Sequence, residues 1–191
     1  GHYATRDNTV GNVYNLDGSP VVNVEDLSSG DISFGFRSID KLLGDDLLLV
    51  EGSQANPHGG SSRTVRGIYG VGAGSWVVEP TPGLLDAAPS YDGTVFVDAR
   101  SEDVLDGTYT EADSAKDGYS CILSADGTLL FDLAKAGVDT SEGAAFDAVY
   151  LGSGYWYVDP APIGLEGGAK GLVVYIDEDG AYVGAQPVGH A

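Results

Sequence analysis

A chain of 191 residues is long enough to bury roughly 70% of the surface its unfolded form exposes, so one domain can fold without covalent staples. The single cysteine, Cys121, excludes an intramolecular disulfide and any multi-cysteine metal cluster, and no apolar run approaches the roughly 20 residues of a membrane helix. With 9 basic against 29 acidic residues the formal charge is −20, which opposes phosphate backbones and anionic lipid; nucleic acid and membrane insertion are not expected of this chain.

In chain order, Gly1-His2 reads as a cleavage scar, and residues 1–8 are expected to be a tag remnant or flexible start. The absence of Met fits a chain cut from a longer precursor. Residues 9–191 read as one all-β domain, because short apolar runs are bounded by Gly, Asp and Pro and long 3.6-period patterns are nearly absent. Strands are expected at 13–16, 20–24, 32–36, 47–51, 67–71, 76–79, 94–98, 119–124, 128–133, 148–151, 155–159, 172–177 and 181–183. Short helical turns are expected at 38–43 and 111–116. Residues 54–66 and 99–117 read as insertions, the former as a mobile loop.

Asp-Gly pairs at Asp17-Gly18, Asp92-Gly93, Asp126-Gly127 and Asp179-Gly180 each adjoin an apolar run. That dipeptide suits the positive φ of a tight turn, so each is expected at a hairpin tip. Two internal matches accompany them. Residues 118–127 align without a gap on 171–180, and 71–85 align on 151–165, where seven of fifteen positions are identical. The second match includes Gly72/Gly152, Gly74/Gly154, Trp76/Trp156, Pro80/Pro160, Pro82/Pro162 and Leu85/Leu165. Repeated antiparallel hairpins or meanders follow, arranged as a partial β-propeller-like or related repeat architecture.

A strand, an Asp-Gly turn, a second strand and then Gly-x-Gly-x-Trp run through 123–131 and 146–158. Over about a third of the chain this resembles the WG-repeat proteins of bacterial envelopes, although neither Trp is followed by Gly. The resemblance implies a β-rich binding surface and an extracellular or cell-envelope setting, with an anchor, if any, outside this chain.

No catalytic set stands out. His2, His58 and His190 are the only histidines and two lie close to a terminus, which disfavours a triad or a zinc site. The run 57–62 lacks the Gly-Lys-Ser/Thr ending and following helix of a phosphate loop. Asp177 and Asp179 offer a fragment of a calcium loop, and no cofactor is expected. Cys121 reads as a small packed residue. Within Tyr155-Trp156-Tyr157 the indole should face one side of a strand and both phenols the other. Trp76 and Trp156 are then expected in the core, while Tyr155 and Tyr157 are the candidates for contact with a protein or glycan. A carboxylate-dependent glycan hydrolase and a structural spacer are the alternatives.

Overall fold

Four Asp-Gly pairs turn four hairpins in the computed structural model, which describes residues 2–6, 11–35, 37–56, 58–116, 118–136, 147–159 and 171–188. Gly18, Gly93, Gly127 and Gly180 take φ of 85°, 88°, 87° and 78°, a region only glycine enters without a Cβ penalty. The aspartate before three of them fixes the bend: Oδ1 of Asp17, Asp92 and Asp126 accepts the amides of Ser19, Thr94 and Thr128 at 2.9, 3.1 and 3.1 Å. In the fourth turn Asp177 does this work, accepting the amides of Asp179 and Ala181.

The chain is all-β, and its described strands form four antiparallel sheets that follow one another in sequence. The first contains β1 (His2–Arg6), β2 (Gly11–Asn15) and β3 (Pro20–Asn23). The second contains β4 (Ile32–Ser33), β5 (Ile39–Leu42), β6 (Leu47–Gln54), β7 (Arg63–Gly70) and β8 (Ser75–Thr81). The third is a meander of β9 (Leu84–Pro89), β10 (Val95–Ala99), β11 (Tyr119–Leu123) and β12 (Leu129–Asp132). The fourth is a meander of β13 (Asp147–Gly152), β14 (Tyr155–Asp159), β15 (Gly171–Ile176) and β16 (Tyr182–Val188).

Strand alternation stacks these sheets face to face. On β6, Leu47 and Leu49 join Ile68 and Val78 against Leu84, Val95 and Val97 of the third sheet. Leu48 and Val50, pointing the other way, meet Val13 and Val24. The run 47–50 is apolar throughout because this strand is covered on both sides. β10 repeats the arrangement: Val95 and Val97 face the second sheet, while Phe96 packs with Trp156, Val158, Leu172 and Val174 of the fourth. Burying one such side chain contributes about 2 kcal/mol, so the three interfaces carry the fold.

Differences from the sequence reading have local causes. Residues 39–42 form β5 rather than a helical turn; a bulge between Ile39 and Lys41 breaks the strict alternation, and β6 supplies the backbone partners. Only the ends of the stretch 54–66 are strand: Gln54 closes β6 and Arg63–Arg66 open β7, with Gln54 opposite Arg63 and a 2.6 Å ion pair joining Arg66 to Glu51. Polar cross-strand pairs extend this ladder where no apolar run marks it. Glu111–Ala115 forms a 3-10 turn where the sequence predicts a helical one, whereas a second 3-10 turn, Glu102–Val104, is an addition to that reading and puts Val104 into the core. At the start of the chain, His2–Arg6 pairs along its length with β2. Pro160, Pro162, Leu165 and His190 lie outside the described residues.

Candidate functional site

β14 alternates as its sequence requires: Trp156 and Val158 point inward at 0% exposure, while Tyr155 and Tyr157 point outward. The register with β15 places Tyr155 directly opposite Tyr175, and their rings stack with centroids 4.5 Å apart and planes 19° apart. On either side of this pair the facing residues are glycines, Gly152 on β13 and Gly184 on β16. A Cβ at either glycine would meet nothing within 4 Å. The row Gly152–Tyr155–Tyr175–Gly184 is therefore an aromatic ridge with open space at both flanks.

Two hollows share that ridge. One, of about 360 Å³, adds Asp92, Tyr150, Asp177 and Glu178 to the two tyrosines. The other, of about 370 Å³, is lined by Val173, Val183, Gly184, Ala185 and Gln186 beside the same rings. Neither is lined by a described Lys or Arg. Tyr91, 97% exposed, stands 6.3 Å from Tyr150 and extends the aromatic surface onto the third sheet.

A polar network fixes the acidic hollow. Tyr150 donates to Asp92 Oδ2 at 2.6 Å and accepts the Gly154 amide at 3.0 Å, which ties the β9–β10 turn to the β13–β14 turn. Beneath it, Trp156 Nε1 donates to Thr94 Oγ1 at 3.3 Å, and Thr94 Oγ1 donates to Asp92 Oδ1 at 2.7 Å. Burial pushes the Asp92 carboxyl up, but hydrogen bonds from Ser90, Tyr150 and Thr94 outweigh it and hold the group below its ordinary value. Burial, then the bond to Asp92, raises the Tyr150 phenol. Asp92 is thus a fixed anion at neutral pH, and Tyr150 a fixed neutral donor.

The two tyrosines singled out from sequence divide in role. Tyr155 is 42% exposed and lines both hollows. Tyr157 instead lays its ring over Gly171, where any Cβ would collide with it, and lines neither. Trp76 and Trp156 share a local build, each opposite a tyrosine with ring centroids 5.2 Å apart, but not a place in their sheets. Trp156 is on an inner strand and fully buried, whereas Trp76 is on the edge strand β8, partly buried at the border of its core.

Asp177 is committed to its turn, Asp179 is exposed, and among the described residues no three His, Cys, Asp or Glu side chains gather to hold a metal ion. His58 is exposed in the β6–β7 loop and His2 contacts Asp46 at 3.1 Å. Cys121 is fully buried in the core, and burial pushes its thiol up, away from the reactive thiolate.

Sequence reasoning missed Tyr91, Tyr150, Tyr175 and Asp92. A usable signal existed: Ser-x-Asp-Gly-Thr recurs at 90–94 and 124–128, and Tyr91 fills its variable, outward position. No protein-family model matches the chain, and neither a curated protein nor a solved structure matches it.

Proposed function

We propose that this chain is a non-enzymatic β-repeat binding domain, an extracytoplasmic part of a bacterial envelope protein, that contacts a protein or glycan through the Tyr155–Tyr175 ridge. The four sheets are read here as successive blade-like units of a propeller-like or related array. Support for that reading comes from their consecutive order, their face-to-face stacking, and the fact that β11 and β15, the 53-residue match, are each the third strand of a meander entering an Asp-Gly turn.

One observation carries the binding reading: two stacked aromatic rings flanked by glycines on the outer face of the last described sheet. Gly152, at φ +100°, sits where the backbone itself calls for glycine, but at Gly184 a side chain would fit, and leaving that position bare keeps the ring surface of Tyr175 free. The test is a glycan array and a panel of purified envelope proteins, probed with the native chain and with Tyr155→Ala. A hit lost in the variant at unchanged melting temperature supports the reading. Turnover of a sugar substrate that disappears on substitution of one Asp or Glu would replace it with the hydrolase.

A further inference from the structure

Resting on that binding reading, we infer that the ridge receives a cationic side chain, arginine above all, presented next to an apolar residue by a partner protein. The two hollows that share the ridge differ in chemistry. Asp92, Asp177 and Glu178 line one beside the tyrosines, and Val173, Val183, Ala185 and Gln186 line the other. A guanidinium is planar and weakly hydrated, stacks on a phenol face, and carries a fork of donors that can reach carboxylates at the rim. Lysine offers a point charge without the plane. The neighbouring hollow then accepts the adjoining aliphatic side chain.

Charge decides between ligand classes. The net charge of −20 surrounds the groove with negative potential, which repels anionic glycans and phosphates and speeds the encounter with a basic segment. A neutral sugar would gain stacking from the rings and nothing from the field. Glu178 is exposed and Tyr155 is 42% exposed, so the cation can reach both without unfolding a turn.

The experiment is an amide-resolved NMR titration of the full chain with acetyl-Leu-Arg-amide, beside acetyl-Leu-Gln-amide and a neutral hexasaccharide. Expected are shifts at Tyr155, Tyr175 and Glu178 with the arginine peptide alone, weakened about five- to tenfold by Glu178→Gln and by Gly184→Val. Raising salt from about 50 to about 300 mM should weaken binding further. Shifts scattered over the acidic surface and indifferent to Gly184→Val overturn the inference. So does equal or better binding of the glutamine peptide or hexasaccharide at the ridge, an outcome that leaves the binding reading standing. Should no probe perturb the ridge, and Tyr155→Ala leave every array or panel hit unchanged, both fall together.

Discussion

Tyr150 of the fourth sheet and Asp92 of the third meet across the seam between them, phenol to carboxylate, at 2.6 Å. The same phenol accepts the Gly154 amide, so one side chain joins two hairpin turns and shapes the acidic wall of the groove.

Tyr150→Phe keeps the ring against Trp156 and removes both hydrogen bonds. Because the bond to Asp92 is solvent-facing, the expected loss is about 1 kcal/mol, read as a lower urea midpoint at unchanged slope. The Asp92 carboxyl should also titrate at higher pH by NMR, having lost one of the donors that hold it down.

The two tryptophans should separate in denaturation experiments. Trp156→Ala empties a fully buried site and is expected to cost about 3–5 kcal/mol, whereas Trp76→Ala, at the rim of its core, should cost less than about 3 kcal/mol. Equal losses would contradict their different depths.

Acid sensitivity should trace to the turns. Hydrogen bonds from Ser19, Thr108 and Ser124, with the following amides, lower the carboxyls of Asp17, Asp106 and Asp126. Lys116 first, and then Thr110, hold Asp113 down at about 2. A folded-state value below the unfolded one favours the native state above the unfolded value, and that contribution is lost as pH falls through the folded value. Stability should therefore decline between pH 3.8 and about 2, with a shallower decline in Asp113→Asn, measured by urea unfolding across that range.

Glycine substitutions distinguish strain from open space. Gly154 has φ +79°, and a Cβ there would run into the Ile176 carbonyl, so Gly154→Ala should cost about 2–4 kcal/mol. At Gly184 the space is empty, and a β-branched residue suits a strand; Gly184→Val is expected to stay within about 0.5 kcal/mol of the parent, or above it, while filling one flank of Tyr175. Thermal melts of the two variants provide the comparison.

Local chemistry made much of this fold legible in the sequence. In three of the four hairpin turns the Asp-Gly pair bends the chain through its own side-chain acceptor and its own positive φ, and strict alternation in Tyr155-Trp156-Tyr157 places the indole on one face wherever the strand lies. Even the apolar run 47–50 announced a strand, though not the sheets that would cover it.

Tertiary structure decided what depends on register and stacking. Tyr155 meets Tyr175 only because β14 and β15 pair at one offset, and a one-residue slip would turn Tyr175 into the core. Pairing on both sides of β14 puts Trp156 on an inner strand, whereas β8 pairs only with β7 and leaves Trp76 on an edge, although their local sequences match. Local residues fix the bends and the alternation because those interactions span a few positions. Pairing between distant strands is set by the total burial that one register allows, a quantity that belongs to the stack of sheets and to no single segment.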